Sequence, residues 1–256
     1  MKSKLHTFIF FLFLIILWEV SYRFAIWPHI LFPSPGQVTA YLIDTLQDGS
    51  LIAIIFVTIK RLILGYTFGF LIGVPLGIIN ARFLIVEETL GALILGLQAL
   101  PTICWAPLAI LWFGQNELAM FFIVSMGCAW SIAISTDNAI RNVPPLYIRA
   151  ARTMGSRGLH LWIKVLIPAS LPFIVNGMKQ GWAFGWRSLM AAEIYITVIS
   201  GFGLGNLLHY NRELLSMDGV VGVMSIIVLI GLVIDKGVFS PLERFLYVRW
   251  GVNKPS

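Results

Sequence analysis

The chain has 256 residues, of which 58% are apolar and only 12% charged, with a formal net charge of +6, whereas an average soluble domain carries about 25% charged residues. So little polar surface argues against a soluble single domain, the ample apolar content against disorder, and the few, scattered basic residues against a nucleic-acid binder. What remains is an all-α integral membrane protein with several spans.

In chain order, Met1-Lys2-Ser3-Lys4 precede an apolar run at 5–18. No small-x-small cleavage site follows, and Glu19, Tyr22, Arg23 and Trp27 come next. The run therefore reads as a retained first span over residues 5–26, not as a removed signal. Pro28, Pro33, Pro35 and Gly36 then break the chain, and residues 37–49 read as a short amphipathic helix at the surface. Residues 62–81 carry no charge and extend backward to about 51 as the second span. Residues 89–116 are also uncharged, but Pro101 and Pro107 interrupt them, which predicts one broken or kinked span. Residues 118–136 give a fourth span, 165–191 a fifth containing Lys179 and Arg187, and 219–239 a sixth. The uncharged stretch 194–211 is not counted. Gly201, Gly203 and Gly205, flanked by Ser200 and Asn206, predict a turn followed by a short interfacial helix over 204–215. Residues 1–50 thus form an N-terminal part and residues 51–256 a core of five spans.

Orientation follows from the basic residues. Segment 141–164 carries Arg141, Arg149, Arg152, Arg157 and Lys164 without an acid, whereas the segment after the fifth span has Arg212 against Glu193, Glu213 and Asp218. With Lys2, Lys4, Arg82, Arg244, Arg249 and Lys254 on the same side as the basic loop, both termini are expected in the cytoplasm.

Gly65, Gly69, Gly73 and Gly77 recur every four residues in the second span, and Gly177, Gly181 and Gly185 in the fifth. Such rows let neighbouring helix backbones approach closely, so they predict packing. On a different face of the fifth span, Asn176, Gln180 and Arg187 fall within roughly 40° of one another. Two readings stay open: hydrogen bonding between helices with Arg187 snorkelling outward, or the lining of a pathway, where an arginine favours an anion. Asp137 and the Asp235–Lys236 pair read as span-end placement or local pairing. Trp27, Trp105, Trp112, Trp162 and Trp250 read as an interfacial belt. Cys104 and Cys128, both in apolar stretches, read as small buried side chains, not a disulfide framework.

No G-x-x-x-x-G-K-[ST] loop and no H-E-x-x-H occurs, and His6, His29, His160 and His209 share no metal-like spacing. An enzyme buried in the membrane lacks the clustered groups its chemistry needs. An ion-coupled transporter would need carboxylates that the spans largely lack, and no inverted repeat is evident.

The loop reads Pro144-Pro145, then Arg149-Ala150-Ala151-Arg152, then Gly155-Ser156-Arg157-Gly158, then Val165-x-Ile167-Pro168. Taken alone it is a proline-started helix, a glycine turn and a re-entry into the bilayer. It resembles the E-A-A-x3-G-x9-I-x-L-P loop of the inner-membrane permease subunits of ABC importers, with Arg149 in place of the leading glutamate. Leu100-Pro101, Ala106-Pro107-Leu108, Trp112-Phe113-Gly114, Ala191-Ala192-Glu193 and the 201–205 glycines extend the likeness over about 190 residues, and together look like the nitrate, sulfonate, taurine and bicarbonate branch. The resemblance implies a type I (MetI-like) bundle of about six helices in the bacterial plasma membrane. It implies a second permease copy, two ATPase subunits that bind ATP and Mg²⁺, and an extracytoplasmic solute-binding protein, with no cofactor in this chain. Arg149, Ala150, Ala151, Arg152, Gly155, Ser156, Arg157 and Gly158 would form the coupling helix and its turn within loop 141–165. The implied solute is a small oxyanion; a neutral or aromatic vitamin-like precursor is the runner-up.

Overall fold

The computed structural model describes residues 2–198 and 201–250, and all regular structure among them is helical. Ser200 and Lys254 lie outside the described residues, as does the side chain of Trp250. In chain order the helices are α1 (Lys2–Arg23), α2 (Pro35–Gln47), α3 (Ser50–Arg82), α4 (Leu84–Ala99), α5 (Thr102–Phe113), α6 (Glu117–Arg141), α7 (Pro145–Thr153), α8 (Gly158–Tyr195), α9 (Leu204–Glu213) and α10 (Met217–Arg249).

Helices α3, α6, α8 and α10 are each long and apolar enough to cross a membrane, and α4 with α5 adds a fifth if that bent pair counts as one span. Helix α1, with 22 residues, has the length of the first span read from the sequence, since ~1.5 Å per residue gives about 33 Å.

Three boundaries differ from the sequence reading. The third span is not a gently kinked rod, because α4 and α5 meet at 101°. Leu100 and Pro101 are extended there, with ψ of 123° and 130°, because proline pushes the residue before it out of the helical region. Pro107 breaks nothing, since it sits in the first turn of the helical stretch Ala106–Phe113, where its missing N–H is not needed. The fifth span starts earlier, at Gly158, and passes a π-turn at Trp162–Leu166 before Pro168. The sixth continues past 239 through another π-turn at Asp235–Phe239 and reaches Arg249. The stretch 194–211 does not span. Helix α8 stops at Tyr195, Ile196 is extended, and α9 starts at Leu204 with Asn206 Oδ1 accepting from the Gly203 N–H at 3.1 Å.

The chain divides into two compact units, Met1–Thr58 with Gly201–Leu229, and Ile59–Ser200 with Ile230–Ser256. In the first, Trp18 Nε1 donates to the Pro33 carbonyl at 2.9 Å, and Ser34 and Gln37 close a reciprocal cap at the start of α2. Thr58 Oγ1 accepts from the Leu204 N–H at 2.8 Å, and Asn211 Nδ2 donates to the Tyr41 hydroxyl at 2.9 Å.

The second unit is organised around α6, whose Met120, Ile123, Val124, Cys128, Ala129, Ile132 and Ala133 are all at most 1% exposed. The two glycine rows lie on either side of it. A Cβ at Gly65 would stand 2.7 Å from Val124 Cβ, and one at Gly73 2.6 Å from the Ala129 carbonyl oxygen. Gly69 and Gly77 leave equally little room beside Cys128 and Ala133. From α8, Gly177 and Gly181 press on Ser135 and Ile132, whereas a Cβ at Gly185 would make an ordinary 3.6 Å contact with Cys128. Ser125 Oγ donates to the Gly65 carbonyl at 3.0 Å, and Tyr66 links α3 to α8 through the Met178 carbonyl at 2.9 Å. Cys128 is thus a buried packing residue, but Cys104 is exposed.

Adding one methyl to such a seam overpacks it, at a cost of about 1–3 kcal/mol. Gly73→Ala is therefore expected to lower the Tm of the detergent-solubilised protein. Gly96→Ala, which points into open space within a helix, is expected to hold it or raise it slightly, since glycine in a helix interior costs about 0.5–1 kcal/mol relative to alanine.

Candidate functional site

The loop after α6 folds as a helix, a left-handed turn and a second helix. Pro145 occupies the first turn of α7. The helix ends in a double cap: Ser156 N–H donates to the Ala151 carbonyl at 2.9 Å, and Gly155 N–H to the Arg152 carbonyl at 3.0 Å. That pattern needs a left-handed residue between the two, and Gly155 supplies it with φ +85°. Ser156 Oγ then meets His160 Nδ1 at 2.9 Å, fastening the turn to the start of α8.

The two alanines of the motif part company. Ala151 is buried, while Ala150 is exposed with Arg149 and Arg152. Only Ala150 of the pair is open to a partner surface. The exposed face also presents Leu146, Tyr147, Met154 (81% exposed) and Leu159, with Arg157 and Gly158 beside them. Arg141 does not belong to this basic face. It is held by Asp137 at 2.8 Å and Glu87 at 2.9 Å, which also gives Asp137 the local partner expected of it.

On α8 the glycine row is buried, and Asn176, Gln180 and Arg187 all lie on the exposed face. Asn176 and Gln180 line a cleft of about 230 Å³ with Gln98, Ser135, Asn138 and Asn142. Arg187 is not in that cleft. It borders a second cavity, where its Nε donates to the Ala183 carbonyl at 3.0 Å and its guanidinium lies 4.6 Å from the Phe184 ring centroid. The structure therefore brings the two amides together and sets the arginine apart, with Gln98 lining both spaces. Lys179, on the same helix, pairs with Asp235 at 2.7 Å and lies 3.8 Å from Glu243. Trp105 packs against Phe122, with ring centroids 5.9 Å apart.

Sequence reasoning missed one cluster. Arg61 of α3 is 2% exposed, donates to Glu193 of α8 at 3.0 Å, and forks onto both oxygens of Glu117 at the start of α6. Glu193 is fully buried and is no member of an outside charge count. The only sequence signal was the Lys60–Arg61 pair inside an apolar run, with one acid at the start of one later span and another near the C-terminal end of the next. Among the described residues no group of three or more His, Cys, Asp or Glu could hold a metal ion.

Residues 69–236 match the family described as the binding-protein-dependent transport system inner membrane component. A putative ABC transporter permease of Methanocaldococcus jannaschii is 37% identical over 227 residues, covering 87% of this chain and 84% of that protein. The putative aliphatic sulfonates transport permease SsuC of Escherichia coli is 35% identical over 164 residues, 64% of this chain and 60% of that one. The taurine transport permease TauC of the same organism is 28% identical over 233 residues, 89% and 83% of the two chains. Among solved structures, an inward-facing MetNI methionine ABC transporter chain superposes with a TM-score of 0.67 at 21% identity, over 77% of this chain and 95% of that one. The chain belongs to this family of multi-pass ABC permeases, and its fold is the MetI-like bundle.

For the buried network, removing one partner strands a charge, which costs about 3–5 kcal/mol. Arg61→Met is expected to destabilise the purified protein by that order in thermal unfolding, and Arg61→Met with Glu193→Gln to recover much of the loss. Glu117→Gln should cost less, because its carboxylate is partly open to solvent.

Proposed function

We propose that this chain is the pathway-forming subunit of an ATP-driven importer of a small oxyanion, working as a pair of copies with two ATPase subunits and an extracytoplasmic binding protein. The observation that carries this reading is the loop. A short helix with an exposed apolar and basic face is joined by a hydrogen-bonded turn to the longest membrane helix, α8. Arg149, Ala150 and Arg152 form the face offered to the ATPase, whose own site holds ATP and Mg²⁺. Ala151, Gly155 and Ser156 keep α7 at a set angle to α8. A push on α7 is then delivered to α8 as a rigid-body movement, and α8 carries the polar face of Asn176, Gln180 and Arg187. The absence of a glutamate at position 149 leaves the partner groove to meet a cation there.

The distribution of Lys and Arg supports cytoplasmic termini with the loop on the same side. For the solute, the sulfonate and taurine permeases among the relatives support an oxyanion, with nitrate and bicarbonate sharing the same chemistry, and Arg187 is the cation that would meet it. The indole rings of Trp105 and Trp130 beside Arg187 favour, as a second reading, a neutral aromatic solute.

In proteoliposomes containing the whole complex, Ala150→Glu and Gly155→Val are expected to leave the ATPase bound and hydrolysing while uptake falls by about tenfold or more. A β-branched residue at the left-handed position alone costs roughly 1–2 kcal/mol. Full uptake in both variants would overturn the coupling role of α7.

A further inference from the structure

Arg187, on the exposed face of α8, differs in its pairing from other cations of this chain. Arg61, Arg141 and Lys179 each have carboxylate partners. Among the described residues no carboxylate pairs with Arg187, which holds only a backbone carbonyl and the face of Phe184. An uncompensated arginine on a membrane-spanning helix is costly and points to a ligand or a water-filled space.

The cavity it borders measures about 340 Å³, in the range of small-molecule sites. Its polar side-chain groups are few: the Arg187 guanidinium, the Gln98 amide, the Thr102 hydroxyl and the indole N–H groups of Trp105 and Trp130, both buried without a hydrogen-bond partner. Trp105, Trp130 and Phe184 supply aromatic wall, and no acid lines it. We infer that the solute is an organic monoanion, a sulfonate or carboxylate head on an apolar or aromatic body, and that this cavity is where it rests. Arg187 and Gln98 meet the head, and Trp105, Trp130 and Phe184 meet the body. The inference rests on the proposed reading that this face of α8 lines the pathway. One cation balances one negative charge. A bare nitrate or bicarbonate would leave the aromatic wall uncovered, whereas an organic body buries it, at roughly 25 cal/mol per Å² removed from water. Gln98 also lines the amide cleft of Asn176 and Gln180, so the head group has a neutral donor to move to when it leaves the guanidinium.

The test uses the complete complex in proteoliposomes, with pentanesulfonate, benzenesulfonate, taurine, nitrate and bicarbonate as competing solutes. Pentanesulfonate or benzenesulfonate uptake is expected to exceed that of nitrate. Arg187→Gln should cut it about tenfold or more, the worth of a hydrogen bond to a charged group, while Arg187→Lys retains most of it. A site-specific readout uses Trp130→Cys in a Cys104→Ser background. Benzenesulfonate is expected to protect position 130 from a methanethiosulfonate reagent, and nitrate not to. If nitrate or bicarbonate is the solute moved, and Arg187→Gln moves it at the normal rate, the inference falls while the importer reading stands. If no oxyanion is moved at all, the importer reading for oxyanions falls with it.

Discussion

The close approach of three helices is what the rest of the second unit depends on. Helix α6 is pressed from one side by Gly65, Gly69, Gly73 and Gly77 of α3 and from the other by Gly177 and Gly181 of α8. Ile132 and Cys128 touch both rows. In lipid, apolar surface alone gives helices little reason to associate, because the tails are as apolar as leucine. Close backbone packing supplies the attraction instead. The seam has no room for a side chain, so it sets the spacing of every polar group carried by these helices.

The Arg61 network is a consequence of that spacing. A guanidinium buried this deeply is tolerable only with charge and hydrogen bonds supplied on all sides. Three helix segments must stand in fixed relation to do so: the fourth turn of α3, the first turn of α6 and the last of α8. The glycine seam provides this relation. The network in turn discriminates against sliding of one helix along another, since any shift would separate buried opposite charges. Packing and ion pairing therefore act on the same three helices, the ion pairs just beyond the Gly65 end of the glycine seam.

The same geometry sorts the faces of α8. Its glycine face is committed to α6, so Asn176, Gln180 and Arg187 are turned the other way, onto the exposed side. At the foot of this helix, Gly155 and the carbonyls of Ala151 and Arg152 fix the direction in which α7 leaves. One helix thus carries a packing seam and a polar face, and the capped turn at Gly155 joins it to α7.

Much of this was legible from the residues alone. The hydropathy runs located the spans, because burial in lipid requires long uncharged segments. The period-four glycines gave the packing faces, and the spacing of Gly155 from Ala151 and Pro168 gave the helix–turn–helix of the loop, since only a left-handed residue closes that cap. The sequence also assigned Asn176, Gln180 and Arg187 to one side of α8. Tertiary structure alone decided the rest. It turned the proline-broken third span into two helices at 101°, because only the packed neighbours choose between a kink and a fold-back. It buried Ala151 and exposed Ala150, a distinction that depends on which side of α7 meets the body of the protein. It joined Arg61 to Glu117 and Glu193 across 56 and 132 residues, and set Arg187 in an aromatic cavity apart from the amides. Local pattern specifies which face of a helix is polar; what that face meets depends on residues far away in the chain, whose positions are fixed only when the helices pack.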